Sequence, residues 1–154
     1  ITVANVLSGI AVAAFLFAVY PSDLPWRPSG RVRPGPFLVL CGRFVVDVVW
    51  SNVWLTIAVL GPQRSVHTEL VRVELRVGDP RLIAMVTNLT ALTPGAMVVR
   101  VDVEGARPVL LVHVLSVRDP DRFASAMLGL ERRCVRALGS DEQVALVERA
   151  EVGR

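Results

Sequence analysis

The 154-residue sequence contains no lysine, so all seventeen of its basic residues are arginines. Aromatic residues make up only 6% of the chain, and the formal net charge of +3 is small. Nucleic-acid-binding proteins instead gather positive charge in clusters, which in single-strand binders are interleaved with aromatic side chains. The composition therefore gives little support to a nucleic-acid partner, and we attribute the exclusive use of arginine to a GC-rich coding bias.

Cysteine is also scarce, since Cys41 and Cys134 are the only two in the chain. They lie in different contexts, an apolar segment and the apolar stripe of a late helix, so we expect two buried thiols rather than a disulfide framework. The two histidines, His67 and His113, have no cysteine or carboxylate at ligand spacing. The sequence therefore predicts no metal site.

Motifs of the common enzyme classes are missing as well. There is no Walker loop, no glycine-rich dinucleotide fingerprint, no zinc-protease pair of histidines and no nucleophile elbow. No nucleophile is accompanied by a base in a pattern that would activate it. We therefore expect no catalytic residue and no cofactor, and we predict that the protein is not an enzyme.

Apolar residues, by contrast, are abundant at 53%, and the mean hydropathy of +0.51 favours burial in lipid. Residues 1–20 are predicted to form a transmembrane helix, since about eighteen apolar residues give a helix of about 27 Å. Tyr20 lies at its end, where aromatic residues favour the membrane interface. A cleaved signal peptide is the alternative, but no A-x-A cleavage pattern precedes a soluble domain.

A second apolar segment, residues 37–61, is predicted to be a membrane-embedded or interfacial helix. Arg43, Asp47 and Ser51 recur at a spacing of four, which places them on one stripe, and Asn52 widens it. We expect Arg43 and Asp47 to pair, because pairing lowers the cost of charge at membrane depth. The stripe either lines a proton or cation path or attaches the helix to a neighbouring subunit or to headgroups. We favour attachment, because one pair is not a relay.

The charge distribution bears on the topology of this second segment. Residues 21–36 form a connector rich in proline, glycine and arginine, which the positive-inside rule places in the cytoplasm. If residues 37–61 span, this connector and the arginine-rich C-terminal region lie on opposite sides. We therefore favour slightly a shallow helix at the inner interface, anchored by Trp50 and Trp54. The high apolar content keeps a spanning helix as the alternative.

Residues 64–139 are predicted to form a small α+β domain, because the apolar period alternates between two and about 3.6. Aspartate–proline pairs predict two helix starts. The predicted order is β-α-β-β-α, with sheet order 1-3-2 and both helices on one face. The fold class is thus a membrane protein with α-helical membrane segments plus this domain, followed by a short helical tail at 140–154. The strands are predicted at 69–77, 97–104 and 109–117.

The stretch from Asn88 to Gly95, Asn-Leu-Thr-Ala-Leu-Thr-Pro-Gly, joins the first domain helix to the second strand. Pro94 keeps Thr93 out of helical geometry and ends the helix. Gly95 can adopt a positive φ for the reversal of the chain. The side chains of Asn88, Thr90 and Thr93 are available for the unpaired backbone groups at this helix end.

This stretch resembles the Asn-Leu-Ile-Thr-Leu-Thr-Pro-Gly signature of the E-type subunits of the multisubunit monovalent cation/proton (Na+/H+) antiporters, of the Mrp or Mnh type. The resemblance continues through Val-His-Val-Leu at 112–115, which contains His113, and through Asp119-Pro120. It reaches back weakly to Trp50-Ser51-Asn52, so that it covers residues 45–135. Ala91 and Ala96 depart from the family pattern, but neither carries chemistry.

The resemblance implies an accessory, non-catalytic subunit, with ion movement mainly in the large antiporter-like subunits. Its partners would be sister subunits and the lipid bilayer, and its location the plasma membrane, with the C-terminal domain in the cytoplasm. The residues themselves keep a second hypothesis open, a membrane-anchored sensory or ligand-binding module. Its site would be the uncovered sheet face or the 88–95 turn.

Two further groups of residues have competing interpretations. His113 lies in an apolar strand, so we expect a structural histidine with satisfied hydrogen bonds, and a pH sensor is the alternative. Arg132, Arg133 and Arg136 form a basic helix surface. We expect this surface to be solvated rather than bound to anionic headgroups or an acidic partner.

Overall fold

The computed structural model describes residues 3–19, 30–60, 68–103, 105, 107–115 and 119–152. Predictions for Tyr20, for residues 21–29 of the connector and for the end of the second helix at residues 61–62 lie outside the described residues. The described elements follow the predicted order after the apolar helices. They are α1 (Val3–Val19), α2 (Pro34–Leu60), β1 (Thr68–Glu74), α3 (Pro80–Ala91), β2 (Ala96–Asp102), β3 (Val109–Leu115), α4 (Pro120–Leu138) and α5 (Asp141–Val152).

The three strands form one sheet in the order β1-β3-β2, which confirms the predicted order. Strand β3 is antiparallel to both neighbours, so β1 and β2 run in the same direction at the two edges. Leu110, Val112 and Val114 of β3 are buried among the residues of α3 and α4. The intervening residues of β3 lie on the opposite, open face of the sheet.

Strand β2 departs from the predicted alternation. In the predicted strand 97–104 the valines at 99, 101 and 103 alternate with charged residues, but Val99 and Val103 are 56% and 62% exposed. The register between β2 and β3 shifts between Val98 and Arg100, and Val98 packs against the core instead. The extra residue at the bulge changes the inward phase along the strand. Ala96 and Val98 lie opposite the buried Val114 and Val112, whereas beyond the bulge Val101 lies opposite the buried Leu110.

The domain helices begin and end where the sequence predicts. The carboxylates of Asp79 and Asp119 accept hydrogen bonds from backbone N–H groups in the first turns of α3 and α4. Gly139 ends α4, and its N–H donates to the Val135 carbonyl at 2.7 Å. A capping box between Ser140 and Gln143 starts α5. The C-terminal segment is more than a polar tail, because Val147 is completely buried.

Helix α2 is longer than predicted, because it starts at Pro34 rather than at residue 37. Pro34 and Pro36 are tolerated there, since the first turn of a helix has no partner for its N–H groups. Among the described helices, α2 is the one long and apolar enough to cross a membrane, over 24 residues from Pro34 to Ile57. Helix α1, which we predicted to span, is apolar but has only 17 described residues.

The two cysteines differ in burial. Cys134 is fully buried beside Val135, as predicted, and burial raises the pKa of its thiol to about 12. Cys41 is exposed, so the prediction of a buried thiol is wrong for this residue. Adjacent residues of a helix point in different directions, and it is the neighbouring Leu40 that lies on the side of α2 facing the domain.

Candidate functional site

Helix α2 contacts the domain through one stripe of side chains, which we call the docking stripe. It consists of Phe37, Leu40, Phe44, Asp47 and Ser51. Successive members are three or four residues apart, so they fall on one side of the helix, and α4 is the main contact. Leu40 is only 2% exposed and belongs to the domain core. The stripe is apolar at its start and becomes polar at Asp47.

Arg33 fastens the start of α2 to the end of α4. Its backbone N–H donates to the Ala137 carbonyl at 2.9 Å. Its guanidinium donates to the carbonyls of Arg136 and Gly139, both at 3.1 Å, and to the Asp141 carboxylate. These carbonyls belong to a helix C-terminus, where a cation is favoured. We call this set of contacts the Arg33 clamp.

Gly30 precedes the clamp and passes very close to the same backbone. A Cβ atom at this position would collide with the carbonyl group of Leu138. Any larger residue at position 30 would therefore not fit. By sequence, Gly30 and Arg33 belong only to a basic connector, because nothing in their local pattern indicates a contact more than one hundred residues away.

Asp47 lies between two arginines from different elements. The Arg43 Nε atom lies 3.4 Å from Asp47 Oδ1, which confirms the predicted pair within α2. The Arg133 Nη2 atom of α4 lies 3.5 Å from Asp47 Oδ2. The carboxylate thus links α2 to α4 as well as to its own helix.

Arg133 corrects the interpretation of the basic surface on α4. Instead of facing solvent, its side chain is only 27% exposed. Desolvation lowers the pKa of its guanidinium, and Asp47 opposes this effect. Its Nε atom is buried without a hydrogen-bond partner among the described residues. A buried guanidinium that lacks some of its hydrogen bonds is costly, and the ion pair with Asp47 is the main interaction that offsets this cost.

A cleft of about 470 Å³ opens beside this ion-pair group, between α2, α4 and the end of α3. Arg43, Asp47 and Ser51 contribute polar groups from α2, and Thr90 and Thr93 contribute hydroxyls from the predicted signature stretch. The polar stripe and the signature, which are distant in sequence, therefore meet in one place. The remaining wall is mostly apolar and comes from α4, with Phe123, Met127 and Leu130.

A second, smaller cavity of about 160 Å³ adjoins the signature turn. Trp50, Ser51 and Trp54 line it from α2. Pro94 and Gly95 line it from the turn. Two tryptophans of the long helix therefore lie over the point where α3 ends and β2 begins.

The turn itself has the predicted geometry. Gly95 has a φ of +86°, which an L-residue adopts only with strain. Its carbonyl accepts the Leu115 N–H at 2.8 Å and ties the turn to β3. The hydroxyls of Thr90 and Thr93 donate to the carbonyls of Val86 and Leu89, at 2.7 and 3.1 Å. Two of the three predicted side chains thus bind backbone at the end of α3.

Three predicted site residues lie elsewhere. Asn52 is exposed, and its amide donates to the Val48 carbonyl of its own helix at 2.9 Å. Asn88 is exposed on α3 and does not line the cleft. His113 is also exposed, on the open sheet face, opposite Leu70 and Met97. His113 faces the open side because even-numbered residues of β3 take the buried positions.

The cleft combines two guanidinium groups, one carboxylate and several hydroxyls with an apolar wall. Within the part of the chain that the structure describes, no three histidine, cysteine, aspartate or glutamate side chains are close enough to hold a metal ion. The arrangement fixes one helix against another through charge and fits a polar or charged group beside an apolar surface. It contains no pairing of a nucleophile with a base.

Comparison with known families gives a match over most of the chain. A family model described as MNHE, Na+/H+ ion antiporter subunit, matches residues 2–137. This range includes the docking stripe, the signature turn and all but the last residue of α4. The resemblance read from the signature is thereby confirmed. Among curated proteins, the comparison finds no match.

Two solved structures are similar to the chain in fold. One is the Mrp complex from Dietzia sp. DQ12-45-1b, with 23% identity and a TM-score of 0.53, covering 69% of this chain and 96% of the matched chain. The other is a membrane-bound sulfane sulfur reductase, an archaeal respiratory membrane complex. It shows 18% identity and a TM-score of 0.53, over 77% of this chain and 73% of that one. At these identities the likeness shows a shared fold.

Proposed function

The chain belongs to the Na+/H+ ion antiporter subunit family, and on that premise we propose that it is an accessory, non-catalytic subunit. As a subunit it works with sister subunits in antiport. Its role is to attach a membrane-embedded helix, α2, to a cytoplasmic α+β domain and to present both to its partners. The observation that carries the proposal is the division of α2 into a docked side and an exposed apolar side.

The exposed side of α2 supports contact with lipid or sister subunits. Outside the docking stripe, most of the helix surface consists of large apolar side chains that this chain leaves uncovered, and only 6% of the apolar segment is buried. An apolar surface of this extent marks a membrane or protein contact. Similar folds occur in subunits of the Dietzia Mrp complex and of the archaeal reductase, which supports sister subunits as the partners.

We also propose that α2 lies at the membrane interface rather than across the bilayer. The docking stripe runs from Phe37 to Ser51, which is about 21 Å of helix. The nine residues beyond it add about 13 Å, while the hydrocarbon core is about 30 Å thick. A spanning α2 would therefore draw the domain, with Arg133 and its neighbours, into lipid.

Cysteine labelling in intact cells tests this topology. Val32 and Thr68 are exposed and flank α2 in sequence, so Val32→Cys and Thr68→Cys report its two ends in a Cys41→Ser background. We expect both to resist a membrane-impermeant thiol reagent until the membrane is opened. Labelling of only one of them from outside would contradict the interfacial placement.

Assembly tests the accessory role. Val46 and Val49 lie on the exposed side of α2, and their double replacement by serine removes apolar surface without touching the core. We expect the variant to fold but to co-purify poorly with tagged sister subunits, whereas Val99→Ser on β2, also exposed, serves as the matched control. Normal co-purification with altered cation selectivity would overturn the accessory role.

The cleft beside the signature turn favours a second candidate, a ligand-binding module. The two candidates differ in whether the α+β domain can fold without α2. A module should remain folded when the chain is cut to begin at residue 64. Because Phe37 and Leu40 belong to its core, we expect that fragment to aggregate or to unfold readily. A stable fragment that binds a small molecule would favour the module.

A further inference from the structure

A second large cavity, of about 650 Å³, lies on a different side of the domain and shares no lining residue with the cleft. Arginines dominate its lining. We call it the arginine pocket, and its lining residues are Arg76, Arg107, Glu142, Leu146, Arg149 and Ala150. None of them has a place in the attachment of α2.

The three arginines reach the pocket from three separate segments. Arg76 follows β1, Arg107 precedes β3 after the hairpin, and Arg149 lies on α5. Arg76 is held in place, because its guanidinium donates to the Val147 carbonyl at 3.4 Å. Like charges repel, so the convergence of three independent segments opposes stability unless a counter-charge is present.

Counter-charge within the described residues is limited. Neither Arg107 nor Arg149 forms an ion pair with another described residue. Other arginines in the chain do form such pairs, among them Arg33, Arg43, Arg72, Arg100, Arg133 and Arg136. Glu142 is the only carboxylate in the pocket lining. The lining itself therefore carries three positive charges and one negative charge, while Arg107 also borders a second cavity with Glu74 and Asp102.

Glu131 is a further carboxyl group that interacts with Arg76 and Arg107, although it does not line the pocket. It is 1% exposed, and one of its oxygens accepts the backbone N–H groups of Arg76 and Val77, at 2.6 and 2.9 Å. Its other oxygen has no hydrogen-bond partner among the described residues. Desolvation raises the pKa of Glu131 overall, although Arg76 and Arg107 oppose that effect. A carboxyl group in this environment is a weakened counter-ion.

We propose that the arginine pocket is an anion site that binds a phosphate group. Guanidinium groups match phosphate oxygens in geometry and charge, which makes arginine a common residue for phosphate recognition. Leu146 and Ala150 add an apolar wall for the part of the ligand next to the phosphate. The phosphate belongs either to an anionic lipid headgroup or to a free phosphate-bearing compound.

The test uses the full chain in maltoside micelles, which contain no phosphate. Inorganic phosphate and phosphatidylglycerol are titrated separately at constant ionic strength, and binding is followed by native mass spectrometry and by thermal unfolding. The test variant is Arg107→Gln with Arg149→Gln, both exposed, so that the fold is retained. The control is Arg31→Gln with Arg122→Gln, two exposed arginines outside the pocket that change the net charge equally.

We expect wild-type and control chains to bind alike and the test variant to bind at least about tenfold more weakly, since charge-assisted hydrogen bonds are lost. Added salt should weaken the binding. Binding of inorganic phosphate identifies a free phosphate compound as the source, and binding of phosphatidylglycerol alone identifies a lipid headgroup. Absence of binding to the wild-type chain, or equal loss in both double variants, would overturn the proposal.

Discussion

Helix α2 is the more apolar of the two long helices and is mostly exposed, whereas α4, which lies against it, buries apolar residues among many charged ones. In α4 the buried set includes Met127, Cys134 and Val135, whereas the charged residues Asp121, Arg122 and Arg136 are exposed. This is the usual amphipathic pattern of a helix that completes its own domain. The excess apolar surface of α2 is therefore there for contacts outside this chain.

The largest expected effect compares two leucines of α2. Leu40 is 2% exposed and Leu38 is 70% exposed, although they are two residues apart. We expect Leu40→Ala to lower the free energy of unfolding by about 2–5 kcal/mol, because it leaves a cavity in the core. Leu38→Ala should change it by less than about 0.5 kcal/mol. Denaturant unfolding of the full chain in maltoside measures both, and similar losses would show that the docking stripe is misassigned.

The next effect concerns the ionic link between the helices. A double-mutant cycle of Asp47→Asn and Arg133→Gln should give a coupling of about 0.5–1 kcal/mol, because this pair is partly buried. The cycle of Asp47→Asn with Arg43→Gln should give less, about 0.3–0.5 kcal/mol, since Arg43 is largely exposed. Chemical unfolding of the four variants of each cycle supplies the values. A coupling energy that is larger for Arg43 than for Arg133 would show that Asp47 stabilises α2 itself rather than its contact with α4.

The buried carboxyl group of α4 predicts a dependence on pH. Burial raises the pKa of Glu131 in the folded chain above its ordinary value of 4.5. Its stabilising contribution is therefore complete below about pH 4.5 and is lost as the pH rises through the folded-state pKa.

The amide of Glu131→Gln keeps an oxygen for the Arg76 and Val77 N–H groups. We expect the free energy of unfolding of this variant to depend less on pH above about pH 4.5. Glu142→Gln, at an exposed position, is the control. Unfolding curves across this pH range provide the measurement. If the free energy of unfolding of Glu131→Gln changes with pH as steeply as that of the wild-type chain, Glu131 is not the source of the pH dependence.

The smallest expected effect is a difference in thiol reactivity. With a pKa of about 12, Cys134 is a buried thiol with almost no thiolate at neutral pH, whereas Cys41 on α2 is exposed. A maleimide reagent should label Cys41 in the purified chain and reach Cys134 only on unfolding. In the assembled complex, labelling of Cys41 should slow if a sister subunit or lipid covers that side of α2.

Local patterns predicted much of this fold. The aspartate–proline starts of α3 and α4, the positive φ of Gly95 and the pairing of Arg43 with Asp47 follow from rules that act over a few residues. The sheet order followed from a central strand that is apolar on both faces. Each of these features depends on residues close together in the sequence, or on how three consecutive strands can be connected.

The features that could not be predicted depend on distant partners or on ambiguous patterns. The Arg33 clamp joins residues more than one hundred positions apart, and periodicity carries no signal for such a contact. Arg133 was assigned to a surface because its partner, Asp47, belongs to another helix. In β2, the sequence pattern allows either Val98 or Val99 to face the core. The position of the bulge, between Val98 and Arg100, determines that Val98 does so.

The Arg33 clamp also determines how mechanical load passes through the molecule. Arg33 meets Gly139 across 106 positions, so the contact closes the intervening chain into a ring. We therefore expect a displacement of α2 by the membrane or by a sister subunit to reach the junction of α4 and α5 through these hydrogen bonds. This route bypasses the sheet and would couple α5 to the start of α2.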